Sequence, residues 1–169
     1  IGKILSRLGN AKVIVDPVIK SSSGGILIEK DTIEAVKSTI FPQSFLITPN
    51  LEEVKVLSGK ENLSEAMQEL FLSSIKYILA KDTEKNKKHI INKLYSKKGF
   101  INSWKNPKKK GYFHGTGCNL ASSIACLIAD SRDIEVAIEQ AQKRVLEFIN
   151  SSIEIGMGQR ILKIKKNEK

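Results

Sequence analysis

Three short apolar runs alternate with stretches of helical periodicity, and that alternation constrains the fold more than any other feature of the chain. The runs Lys-Val-Ile-Val-Asp at 12–16, Phe-Leu-Ile-Thr at 45–48 and Ile-Lys-Tyr-Ile-Leu-Ala at 75–80 have the length and the β-branched or aromatic content of buried strands. Helix patterns fill the intervals. Asp31 caps a helix that turns Ile33, Val36 and Ile40 to one side, and Phe41-Pro42 stops it, because a residue before proline is pushed out of the α region. Pro49-Asn50 opens a second, with Val54 and Leu57 inward and an end near Gly59. Asn62 caps a third, whose stripe is Leu63, Ala66, Met67, Leu70 and Phe71. Ahead of the first strand, Ile1, Ile4, Leu5 and Leu8 repeat as one face of a helix ended by Gly9-Asn10. Residues 21–25 read as a loop. After the third strand, 89–95 and 99–103 read as an exposed hairpin. Two helices close the chain, one with Leu120, Ala121, Ile124, Leu127 and Ile128 buried, the other with Ile134, Ala137, Ile138, Ala141, Val145 and Phe148 buried. Strand–helix alternation of this kind means βαβ units and a parallel sheet, hence an α/β fold.

A chain of 169 residues, 41% apolar and 27% charged, fills one core and is expected to form one domain over 1–169, with a Lys-rich, frayed tail from about 163. No run approaches the ~18 apolar residues of a membrane span, and the start lacks a signal-peptide pattern. Cys118 and Cys126, eight residues apart on one helix, would lie ~12 Å apart along its axis, too far for a disulfide. His89 and His114 are too few and too scattered for a metal site, so a four-ligand zinc site is not expected. A soluble, cytoplasmic protein is expected. The opening at Ile1, inside a helical pattern, reads as the later part of something longer.

The net charge of +10 is local: residues 76–110 hold twelve Lys and two acids, and the remainder is balanced. That segment has Tyr77, Tyr95, Phe100 and Trp104 but no Arg, the residue that makes bidentate phosphate and base contacts. It reads as a solvated lysine face, or as a diffuse field favouring a polyphosphate such as ATP, and not as a nucleic-acid interface.

Ligands of parallel α/β sheets sit at the carboxyl ends of the strands. Asp16, Thr48, Asn50 and Lys81 are all at or just past strand ends, so they gather along one sheet edge. In Thr-Pro-Asn-Leu-Glu-Glu at 48–53, Asn50 and Glu53 have the spacing of a capping box; equally, Glu53 could organise Mg²⁺ through water while Asn50 lines a phosphate site. In His-Gly-Thr-Gly-Cys at 114–118, two glycines flank Thr116 at a helix entry, which suits a nest of N–H groups for an anion beside the Cys118 thiol. A glycine-rich helix entry with a small buried cysteine is the plainer alternative.

Together these segments resemble the hydroxymethylpyrimidine/phosphomethylpyrimidine kinases of thiamine biosynthesis, in the ribokinase-like superfamily. The matching pieces are Val15-Asp16-Pro17-Val18 followed by Ser23-Gly24 and Leu27, then 46–53, then 114–118, in the order and spacing of that family's later two-thirds. Cysteine at 118 is informative, since most ribokinase-like enzymes carry Asp there. The resemblance implies a three-layer αβα fold with a mostly parallel sheet and helices on both faces, lacking its N-terminal part. It implies ATP and Mg²⁺ as cofactors, a small pyrimidine as acceptor, and a homodimer as in many ribokinase-like enzymes, with neither membrane nor nucleic acid as partner. Gly115, Thr116 and Gly117 would form the anion hole for the transferring phosphoryl group, and Cys118 would take the substrate hydroxyl proton. Asp16, Thr48, Asn50, Lys81 and His114 would serve the nucleotide, with Glu53 and Asp16 on the metal. The family usually has Lys-Gly-Gly-His after the third strand, where this chain has Lys81-Asp82-Thr83-Glu84. A pyridoxal kinase of the Cys-bearing type and a degenerate, non-catalytic kinase-like domain stand as alternatives.

Overall fold

The computed structural model describes residues 1–20, 25, 27–82, 88–154 and 158–162. The loop expected over 21–25 lies mostly outside these residues, and Thr83, Glu84 and the tail from 163 lie wholly outside them. The chain divides into two compact units, Ile1–Lys105 and Asn106–Lys169.

The first unit contains β1 (Val13–Val15), α2 (Lys30–Thr39), β2 (Ser44–Ile47), α3 (Leu51–Ser58), α4 (Leu63–Phe71), β3 (Tyr77–Asp82) and β4 (His89–Ser96), after a one-turn α1 (Gly2–Leu5). β5 (Gly99–Pro107) completes a sheet of order β1-β2-β3-β4-β5. β1, β2 and β3 run parallel, and β4 returns antiparallel to β3. The three apolar runs of the sequence are thus the parallel core of the sheet. The helices between them bury their stripes together with the sheet: Ile33 of α2, Val54 and Leu57 of α3, and Ala66, Met67, Leu70 and Phe71 of α4 share one cluster with Ile47, Ile78 and Ala80. Asn50 and Asn62 cap α3 and α4 as their positions predict, and Gly59 ends α3 in the left-handed region at φ 68°.

Local differences have local causes. α2 starts at Lys30 with Glu29 at the cap position, so Asp31 sits in the first turn and not at the cap. α1 is a single turn with no buried residue, and Ile1, Ile4 and Leu8 stay exposed. One turn of helix has too few internal hydrogen bonds to hold the longer stripe without a surface to pack on. β3 runs two residues past Ala80 because β4 supplies partners there, Asn92 for Lys81 and Ile91 for Asp82. The hairpin is exposed at Phe100 and Ile101, but Leu94 of β4 is fully buried.

The second unit holds β6 (Phe113–His114), α5 (Thr116–Ala129), α6 (Ile134–Asn150) and β7 (Arg160–Ile161). α5 buries Leu120, Ala121, Ser123, Ile124 and Ile128; α6 buries Ile134, Ala137, Ile138, Ala141 and Gln142. The Asp133 side chain caps α6 by accepting from the Glu135 amide. β6 and β7 pair in parallel, Phe113 with Arg160 and His114 with Ile161. Among the described residues, no helix is long and apolar enough to cross a membrane.

Candidate functional site

The ladder of the parallel sheet continues past the end of β2, and this builds the site in the first unit. The Thr48 amide donates to the Val15 carbonyl at 3.0 Å, and the Lys81 amide donates to the Pro49 carbonyl at 2.8 Å. Asp16, Thr48 and Lys81 therefore lie side by side at the carboxyl tips of three adjacent strands, as the alternation pattern predicts. Their side chains meet at one atom. The Thr48 hydroxyl donates to Asp16 Oδ1 at 2.8 Å, and the Lys81 ammonium donates to the same oxygen at 3.0 Å. Asp16 and Lys81 form an ion pair with side chains only 13% and 12% exposed. The other carboxylate oxygen, Asp16 Oδ2, is buried and has no hydrogen-bond partner among the described residues.

Asn50 and Glu53 complete this edge. The Glu53 amide donates to Asn50 Oδ1 at 2.9 Å, and the Asn50 amide donates to Glu53 Oε2 at 2.7 Å, a reciprocal capping box at the start of α3. The Glu53 carboxyl is pushed above its ordinary range by burial and, to a lesser degree, by the negative charge of Asp16. The Asn50 amide, the Lys81 charge and the Ile19 amide pull the other way. Asp16, Lys81 and Glu53 thus form one electrostatic group. Asp82 alternates to the opposite face of β3 from Lys81 and is buried.

The expected anion nest is the turn into α5. Gly115 is the residue before the helix, at φ 80° and ψ 9°, a left-handed conformation that favours glycine. Thr116, Gly117 and Cys118 take the first three helical positions, whose amides have no acceptor inside the helix. No side chain caps this terminus. Asn119, which the sequence pattern did not single out, braces it from behind: its backbone amide and its side-chain Nδ2 both donate to the Gly115 carbonyl, at 2.9 and 2.8 Å. Cys118 is exposed, so the alternative of a small buried cysteine does not hold. Cys118 and Cys126 are both free thiols. His114 is exposed at the end of β6.

Among the described residues, no group of three or more His, Cys, Asp or Glu could cage a metal ion. Asp16 Oδ2 nevertheless offers one buried carboxylate oxygen, unclaimed among the described residues, beside Glu53. That donor set suits Mg²⁺, which is typically held by one or two carboxylates, waters and substrate phosphates.

The phosphomethylpyrimidine kinase family model matches residues 1–163. A hydroxymethylpyrimidine/phosphomethylpyrimidine kinase of Aquifex aeolicus is 31% identical over 156 residues, covering 89% of this chain and 61% of the relative. Among solved structures, an ADP complex of Bacillus subtilis pyridoxal kinase superposes with a TM-score of 0.82 at 20% identity, over 96% of this chain and 63% of that one. A phosphomethylpyrimidine kinase from Clostridium difficile superposes with a TM-score of 0.69 at 23% identity, over 88% of this chain and 62% of that one. These likenesses make the fold ribokinase-like. The chain spans about three-fifths of the length of the curated relatives it matches.

Proposed function

We propose, because the chain belongs to the phosphomethylpyrimidine kinase family, that the protein transfers the γ-phosphoryl group of ATP to the hydroxymethyl group of a pyrimidine and then to the resulting monophosphate, a step of thiamine biosynthesis. The observation that carries this reading is the pairing of Asp16 with Lys81 at the strand tips, with Asp16 Oδ2 left unclaimed. A carboxylate, an ammonium and a second acid at one sheet edge suit the metal–phosphate end of a nucleotide.

In this reading Asp16 and Glu53 would be the residues that hold Mg²⁺, Glu53 by way of water. Bound there, the metal would neutralise charge on the phosphates. Asn50, Lys81 and His114 position the nucleotide. Thr116, Gly117 and Cys118 aim amides at the charge that builds on the transferring group, while Gly115 makes the turn that exposes them. Cys118, exposed on the first turn, would act as the thiolate and become the thiol on taking the proton of the attacking hydroxyl. Phosphoryl transfer depends mainly on such positioning and charge stabilisation. The protein acts in the cytoplasm and pairs as a homodimer; both belong to this proposal.

The test is a panel of hydroxymethylpyrimidine, its monophosphate and pyridoxal with Mg²⁺-ATP. Turnover of the two pyrimidines is expected. Preference for pyridoxal would replace the pyrimidine assignment, and no detectable nucleotide binding would overturn the kinase. Cys118→Ala is expected to lower kcat by about 10²–10⁴-fold, the usual share of a general base, with little change in thermal stability. Small effects on both would remove the general-base role from Cys118.

A further inference from the structure

We infer that Thr48 is a positioning residue: its hydroxyl, with the Lys81 ammonium, ties down Asp16 Oδ1 so that Oδ2 is the one carboxylate oxygen left for the metal–phosphate end of a nucleotide. Thr48 is buried and its hydroxyl is already engaged with Asp16, so it acts through that carboxylate. Its hydroxyl donates to Asp16 Oδ1, an oxygen that also receives Lys81. Oδ2 receives neither and is buried. A carboxylate bonded twice through one oxygen cannot turn about its Cβ–Cγ bond without breaking a charge-assisted hydrogen bond.

Threonine suits this task better than the lysine beside it. Lys81 reaches Asp16 along a flexible four-carbon stem and is itself attracted to any phosphate that arrives. Thr48 is β-branched, stiff at χ1 and enclosed, so its hydroxyl stays aimed when Lys81 moves. The register makes the pairing: Val15 faces Ile47, so the next residue of each strand, Asp16 and Thr48, must also be neighbours. Valine would fill the same volume there, yet a buried hydroxyl stands in the position. A buried hydroxyl is retained at a cost unless it is bonded, and its bond is to Asp16.

This inference rests on the reading that Asp16 serves a nucleotide, and the experiment separates the two. Thr48→Val, Thr48→Ser, Asp16→Asn and the Val/Asn double variant are compared in steady-state kinetics. They are also compared by the rise in Tm that Mg²⁺ with the non-hydrolysable analogue AMP-PCP produces. Thr48→Val is expected to raise KM for Mg²⁺-ATP and to shrink the Tm rise at least fivefold in ligand affinity, with a smaller change in kcat. Thr48→Ser, which keeps the hydroxyl, is expected to restore affinity to within about twofold. On the Asp16→Asn background, Thr48→Val is expected to add less than twofold. An equal loss with and without Asp16, or a serine variant as impaired as valine, overturns the positioning role. Should the valine variant not fold, Thr48→Ala against Thr48→Ser makes the same comparison. A coupled Tm response with no phosphoryl transfer to any pyrimidine leaves Thr48 its role and removes the kinase assignment.

Discussion

Glu53 carries the most exposed consequence of a single residue's surroundings. Burial raises its carboxyl above the model-peptide value of 4.5, so the folded protein keeps a proton that the unfolded chain has already lost. Stability contributed by this group is therefore greatest at low pH and declines as pH rises from that value through the raised one. Glu53→Gln does not titrate. The stability of wild type relative to Glu53→Gln is expected to fall as pH rises above 4.5 in urea unfolding, and a difference that grows with pH would contradict the burial argument. Sequence placed Asp16, Thr48, Asn50 and Lys81 together, because strand tips of a parallel sheet converge. It could not show that Thr48 and Lys81 share one oxygen of Asp16, since that depends on a register no local pattern encodes. Nor could it single out Asn119, whose side chain matters only once Gly115 has turned.

At the scale of elements, the helix starts divide by their caps. Asn62 accepts from the amides of Ser64 and Glu65, and Asn62→Ala is expected to cost about 1 kcal/mol in thermal or urea unfolding. Leu70 on the same helix is 1% exposed, so Leu70→Ala is expected to cost about 2–5 kcal/mol. Gly115→Ala would set a side chain at φ 80°, with its Cβ 3.4 Å from Asn119 Nδ2. About 1–2 kcal/mol of destabilisation is expected from the left-handed conformation alone. These caps and stripes were legible because each is written within four residues. The start of α2 was misjudged because Asp31 looks like a cap and Glu29, the actual cap position, makes no side-chain bond to announce itself. β6 and β7 escaped notice since two residues carry no period, and their pairing joins segments 47 positions apart by register.

For the whole molecule, the surplus charge is the feature composition shows most plainly. The lysines of 76–110 include exposed Lys97 and Lys98 at the hairpin turn and exposed Lys105, Lys109 and Lys110 beyond it. A diffuse positive field weakens with salt. Raising ionic strength from about 0.05 to about 0.5 M is expected to raise KM for Mg²⁺-ATP more than it changes kcat. Without arginine, the same field is expected to give no tight binding of DNA or RNA at micromolar protein, and a steep salt-dependent affinity would contradict this. The order of the three motifs along the chain made the family legible, whereas the division into two compact units was not, because helix and strand periods look alike in both.

The heads of α3, α4 and α6 are each stopped by a side-chain oxygen, from Asn50, Asn62 and Asp133, while α5 begins on a bare glycine. That head carries no side-chain acceptor that an incoming anion would have to displace. An oxygen-bearing side chain at 115 would supply such an acceptor from within the chain itself.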